Sequence, residues 1–218
     1  MSTKTATIAG ATGLTGYSLL QHLLQDDYFD IIRVLVRKPF TFTHPKLEPK
    51  LVDFNDADSL LTAISGSDAL FCCIGTTQKK VKGDKAAYRK VDYDIPVTLA
   101  RLCKIDGCEN FLVISSVGAN SQSRNFYLRL KGEMENAVKE SGLQSVHIFQ
   151  PSLLIGERNE RRLAEKASQV IMKRISFLFP AKYRAVEATD LARAMLETSQ
   201  KQEPGVHTYR YKDIKSLI

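Results

Sequence analysis

No apolar stretch in the 218 residues approaches the length of a membrane span, which takes about 20 consecutive apolar residues. Glycine (12) and proline (7) are sparse, which argues against a low-complexity or disordered chain. No internal repeat stands out. The four cysteines, Cys72, Cys73, Cys103 and Cys108, form no C-x-x-C pair, and His22, His44, His147 and His207 are scattered. A metal site is therefore not expected, and reduced thiols fit a cytoplasmic protein. Zinc-finger spacing and an RNA-binding aromatic signature are both missing, so nucleic acid is not an expected partner despite a net charge of +7. The basic residues are dispersed, apart from small clusters at Gln78-Lys79-Lys80-Val81-Lys82 and over 158–173. A moderately basic surface suits an anionic cofactor. The chain enters an apolar run almost at once, so a signal peptide is not expected.

What is present points to one α/β domain. Hydrophobic residues make up 44% of the chain, enough for a packed core. Strand and helix signals alternate. Strands are expected over 5–9, 31–36, 51–53, 69–74, 110–115 and 145–150. Helices are expected over 14–25, 56–65, 84–106 and 127–141. The runs Ile31-Ile32-Arg33-Val34-Leu35-Val36 and Phe111-Leu112-Val113-Ile114 are rich in branched apolar residues, as buried parallel strands are. The expected class is a doubly wound parallel sheet in a single domain spanning 1–218. After Pro151 the pattern changes to a polar loop over 156–162, an amphipathic helix over 163–174, the apolar Phe177-Leu178-Phe179-Pro180, a helix over 189–198 and a late strand over 206–211. Residues 155–218 are expected to form a small lobe over the carboxyl ends of the strands, or else to pack plainly on the sheet.

The opening motif carries the most chemistry. Gly10-Ala11-Thr12-Gly13-Leu14-Thr15-Gly16 follows the apolar Ala6-Thr7-Ile8-Ala9 and opens a helix. A glycine corner of this kind lets backbone N–H groups approach a phosphate, and the helix N-terminus adds partial positive charge. A dinucleotide fits that place. The second strand ends Val36-Arg37-Lys38, with no acid for a ribose 2′-hydroxyl. Two cations there favour a 2′-phosphate, hence NADP(H) over NAD(H). Asp53 and Phe54 close the third strand, where an acid reaches an adenine amino group or simply shapes a turn. Gly75, Thr76 and Thr77 follow the fourth, small enough to pass a cofactor ribose.

Tyr127 and Lys131 stand four apart on one helix face. A lysine ammonium beside a phenol favours phenolate, which suits proton exchange with a carbonyl or alcohol during hydride transfer. Tyr211 and Lys215 repeat the spacing, so spacing alone does not single out the first pair. Position does: Ser115-Ser116 ends the strand just before its helix. A serine hydroxyl there donates to a substrate oxygen. Strand alternation sends one of the two to the site, and Ser115 is favoured. Pro151, Ser152 and Leu153 follow the sixth strand, where backbone meets the nicotinamide carboxamide or a proline merely ends the strand.

These segments, with Val52-Asp53-Phe54, Cys73-Ile74-Gly75-Thr76-Thr77, Ser115-Ser116-Val117-Gly118-Ala119, Lys131-Gly132-Glu133 and Gln150-Pro151-Ser152, resemble the atypical short-chain dehydrogenase/reductases with an NAD(P)-binding Rossmann fold. The similarity is greatest to the group of the human Tat-interacting oxidoreductase-like protein and its bacterial relatives. It implies NADPH binding and a Ser/Tyr/Lys set acting on a small molecule of unassigned identity, in a monomer or dimer. It also implies two alternatives. One is a regulator that engages protein partners according to cofactor state. The other is a nucleotide-sugar epimerase or dehydratase, disfavoured by the small C-terminal third.

Overall fold

The structure is a computed structural model that describes residues 3–108, 110–156, 184–201 and 203–218. The polar loop, the helix over 163–174, the segment 177–180 and the basic cluster over 158–173 lie outside them.

The elements run β1 (Thr5–Ala9), α1 (Leu14–Gln25), β2 (Ile31–Val36), β3 (Leu47–Leu51), α2 (Ala57–Ile64), β4 (Ala69–Cys72), α3 (Lys85–Arg89), a π turn (Lys90–Asp94), α4 (Ile95–Asp106), β5 (Asn110–Ile114), α5 (Phe126–Lys139), β6 (Ser145–Phe149), β7 (Leu154–Ile155), β8 (Val186–Glu187), α6 (Ala188–Lys201), β9 (Gly205–Tyr209) and α7 (Tyr211–Ser216). Seven strands form one parallel sheet in the order β3-β2-β1-β4-β5-β6-β9. From β1 the chain winds one way to β2 and β3, then the other way to β4. The crevice at that reversal, outside the carboxyl ends of β1 and β4, is where such sheets receive ligands.

Strand alternation feeds two cores. On one face Ile8, Phe29, Phe71 and Phe149 meet Leu19, Leu20 and Leu23 of α1 and Leu191 and Met195 of α6. On the other Leu70, Cys72, Phe111 and Ile148 meet Leu60 of α2, Leu99 and Cys103 of α4, and Met134 and Val138 of α5. The described part of 155–218 divides accordingly. Helix α6 and strand β9 belong to the sandwich itself, while β7 and β8 pair beyond the strand ends.

Two expectations need correction. The third strand is Leu47–Leu51, not 51–53. It is an edge strand carrying Glu48, Pro49 and Lys50, and it pairs only with β2. Proline is tolerated at an edge, and charges there blunt aggregation, so the apolar signal of a buried strand is missing. The helix expected over 84–106 forms without a gap over 85–106, but it is not α-helical throughout. Pro96 has no N–H and its ring opposes the carbonyl four residues back, which belongs to Asp92. The chain answers with a wide turn, in which Ile95 N–H bonds to the Lys90 carbonyl. Such π turns often occur at functional sites.

At the β6–β9 edge His147 is fully buried. Ser145 Oγ donates to the Glu203 carbonyl at 2.6 Å and lies 2.7 Å from His147 Nε2, so Nε2 donates to it. Nδ1 then accepts from the Tyr209 hydroxyl at 3.0 Å. Burial, with His207 stacked alongside, lowers the His147 pKa to about 4. The unfolded imidazole titrates near 6.5. Its contribution to stability is therefore complete above that pH and is lost as pH falls toward the folded value. Urea unfolding at pH 7 and pH 4.5 should show a loss that shrinks by about 2–3 kcal/mol in His147→Gln. An equal loss in both proteins would remove His147 from the acid response.

Candidate functional site

The glycine corner forms as its spacing requires. Gly10 has φ +95°, and a Cβ there would lie 2.8 Å from the Cys73 carbonyl. A Cβ on Gly16 would lie 2.1 Å from the Gly10 oxygen. The corner thus presses β1, β4 and α1 together, and Gly13 N–H closes it onto the Gly10 carbonyl at 2.9 Å. Gly13 is the N-cap of α1, and among the described residues no side-chain cap hydrogen bond is made there. The first-turn N–H groups have no intrahelical acceptor. Thr15 is 4% exposed and its Oγ1 has no hydrogen-bond partner among the described residues. An uncapped helix start beside an orphaned hydroxyl fits the phosphates of a dinucleotide.

A cavity of about 580 Å³ opens from this corner along the strand ends. Thr12, Gly13, Leu14 and Thr15 line its start. Gly75, Thr76 and Thr77 follow from the β4 side, then Ser115, Ser116, Tyr127 and Lys131 from β5 and α5. Pro151, Ser152 and Leu153 close it from β6. Most of the sequence-derived site therefore converges. Gly10 and Gly16 shape the corner from behind. Arg37 and Lys38 are exposed beyond the end of β2, outside this cavity. Asp53 and Phe54 also lie outside it. The Asp53 carboxylate accepts from Asn55 N–H at 2.9 Å, which is the turn role, and Phe54 packs on the second core. Ser152 Oγ donates to the Arg184 carbonyl. The Tyr211–Lys215 pair sits on α7, where Lys215 pairs with Asp190, away from the cavity.

Asp92 is the functional residue the sequence reading missed. The π turn carries it inward, where it is 1% exposed. Its Oδ1 lies 2.9 Å from Lys131 Nζ, both side chains being buried. Its Oδ2 accepts from Thr76 N–H at 2.8 Å. One carboxylate therefore ties the loop after β4 to the lysine of α5. Burial pulls the Lys131 pKa down, but Asp92 and Tyr127 beside it outweigh that, and the net shift is upward. Lys131 is thus a fixed cation at the cavity floor, one turn from Tyr127. A signal for Asp92 was present: an acid four residues before a proline inside an apolar helical run.

Tyr88 supports the same floor. Its hydroxyl donates to the Thr76 carbonyl at 3.2 Å, and its ring meets the Tyr127 ring edge-on at 6.3 Å between centroids. The loop between β5 and α5 is seated by Gly132, where a Cβ would lie 2.2 Å from Ser121 N. Burial pushes the Cys72 thiol up to about 11 and Cys73 higher, so neither is a nucleophile near neutral pH. Among the described residues no three metal-binding side chains cluster, and no helix is long and apolar enough to cross a membrane.

Comparison with known proteins agrees with this geometry. Residues 10–199 match a family described as NAD(P)H-binding. The chain is 33% identical to the rat protein HTATIP2 over 90% of its own length and 81% of that protein's. It is 30% identical to the mitochondrial protein FMP52 of Saccharomyces cerevisiae, over 71% of this chain and 68% of that one. Solved structures share the fold. The enzyme WbmH of Bordetella bronchiseptica in complex with NAD+ gives a TM-score of 0.73 at 18% identity, covering 96% of this chain and 76% of that one. A uronate dehydrogenase from Agrobacterium tumefaciens complexed with NAD gives 0.71 at 13% identity, covering 99% and 83%. The chain belongs to the NAD(P)H-binding family and shares the Rossmann-like α/β fold of these structures.

Proposed function

We propose that the protein is an NADP(H)-dependent oxidoreductase that interconverts a carbonyl and an alcohol. One observation carries this reading: Tyr127 and a buried Lys131, fixed by Asp92, stand in the same cavity as the uncapped start of α1. When bound, the nicotinamide gives or takes the hydride. Tyr127 handles the proton, as a general acid toward a carbonyl or a base toward an alcohol. Lys131 holds positive charge beside the phenol and is placed to hold a ribose hydroxyl. The α1 N-terminus, with Thr15, binds pyrophosphate. The loop at Gly75–Thr77, anchored through Asp92, passes along the ribose. The cavity is mixed in character, lined by Leu14, Tyr17, Leu153 and Leu154 as well as Lys80, Ser115 and Ser116.

The preference for NADP(H) is supported by Arg37 and Lys38, exposed where β2 ends without an acid. A guanidinium pairs with phosphate in bidentate fashion. Arg37→Ala should weaken NADPH binding by about tenfold or more, the scale of a charged hydrogen bond, and leave NADH nearly unchanged. Fluorescence titration with both nucleotides reads this directly. Equal losses for the two would refute the 2′-phosphate assignment.

A further inference from the structure

Ser115 lines the cavity, but its hydroxyl proton is not directed there. It donates to Glu135 Oε1 at 2.5 Å. Glu135 lies one turn beyond Lys131 on α5 and is 4% exposed. Gln150, just past β6, donates Nε2 to both Glu135 oxygens, at 2.8 and 3.1 Å. Its Oε1 accepts from Arg210 Nε at 3.1 Å. Lys139 Nζ stands 3.7 Å from Glu135 Oε2 and completes the surroundings of the carboxylate.

The direction of this chain is fixed from both ends. A guanidinium has only donors, so Gln150 must turn its oxygen to Arg210 and its amide nitrogen to Glu135. An ionised carboxylate only accepts, so Ser115 must donate to it. The one Ser115 proton is then committed, and anything reaching that oxygen from the cavity finds lone pairs. Ser116 also lines the cavity. Among the described residues its hydroxyl has only a long contact, 3.4 Å to the Val117 carbonyl, and its proton can move to a better acceptor.

We propose that Glu135, held by Gln150 and Arg210, is a positioning residue that makes Ser115 an acceptor toward the cavity, and that Ser116 is the serine that donates to a substrate carbonyl. This rests on the cavity receiving a carbonyl/alcohol pair, as proposed above. It exchanges the roles the sequence favours. Ser115 receives the proton of a hydroxyl, and Ser116 polarises the carbonyl.

The test uses 4-(dimethylamino)cinnamaldehyde, whose visible absorption moves to longer wavelength when its carbonyl oxygen accepts a hydrogen bond. Tyr127→Phe is the background, so that the phenol supplies no donor. Spectra are taken with and without saturating NADP+. The shift should be present in the background, lost on adding Ser116→Ala and kept on adding Ser115→Ala. Adding Glu135→Gln to Tyr127→Phe/Ser116→Ala should restore it. The new amide accepts from Gln150 through its oxygen and donates to Ser115 through its nitrogen, which turns the serine proton outward. A purely structural Glu135 would restore nothing. The proposal is overturned by no shift in the background, by loss with Ser115→Ala and retention with Ser116→Ala, or by no restoration in a Glu135→Gln protein whose thermal midpoint matches its parent. Should Glu135→Gln not fold, the two serine arms still decide. NADPH fluorescence is titrated separately on the wild type. No nucleotide binding there would remove the proposed reaction, while the spectra without nucleotide still judge the serines.

Discussion

Tyr127→Phe should abolish measurable turnover and leave nucleotide affinity close to wild type. The substitution removes one oxygen and keeps the ring, which packs edge-on against Tyr88. Both neighbours that shape the floor, Lys131 and Asp92, are held by each other rather than by the phenol. The proposed pyrophosphate site is at the start of α1, a different element from the α5 helix that carries Tyr127. Binding should therefore survive. Chemistry should not, because a positioned acid–base group contributes roughly 10²- to 10⁴-fold to a rate. NADPH fluorescence measures the first property, and loss of absorbance at the nicotinamide wavelength, over a panel of aldehydes and ketones, measures the second. A variant that binds nucleotide and keeps its rate removes Tyr127 from the mechanism. A wild type that binds nucleotide and turns over no carbonyl favours the regulatory alternative, in which the same cavity reports cofactor state.

The residues that were legible in the sequence are those whose role is local. The glycine corner was readable because close approaches of backbone at Gly10 and Gly16 permit no side chain, and only glycine answers that demand. The strands β1 and β2 and the helix α1 fall where expected, since a strand buried on both faces writes itself as a run of branched residues. Edge strand β3 was misplaced because half of it meets water, so its composition follows solubility rather than burial. Asp92 was missed for a different reason. Its role depends on the π turn ahead of Pro96, within which Asp92 is buried, and a helix-period reading averages over such a turn. The polarity of Ser115 was also out of reach. It is set by Glu135, Gln150 and Arg210, separated by 15 and 60 residues along the chain, and no local pattern joins them.

Asp92→Ala should be the most damaging single change for stability at the site. It leaves the Lys131 ammonium buried, 3% exposed, with no carboxylate. Removing one partner of a buried ion pair costs about 3–5 kcal/mol, a large share of the roughly 5–15 kcal/mol that holds a domain folded. The pH response should change sign as well. In the wild type the folded Lys131 pKa is raised, so its stabilisation is full below the unfolded value of about 10.4 and is lost as pH rises through the folded one. Without Asp92, burial, the largest influence, outweighs what Tyr127 still contributes and depresses that pKa. The unfolded chain then binds the extra proton, and the variant should gain stability as pH rises from neutral toward about 10. Replacing both partners, as Asp92→Leu with Lys131→Met, should recover most of the stability, because an apolar pair leaves no buried charge. That double variant should still be inactive. It should also bind nucleotide more weakly, since Thr76 N–H loses its acceptor and the loop after β4 loses its anchor. Urea unfolding at pH 7 and pH 9.5 checks the energies. If the single variant is as stable as the wild type at pH 7, then Lys131 is not charged in the folded protein, and the fixed cation beside Tyr127 has to be given up.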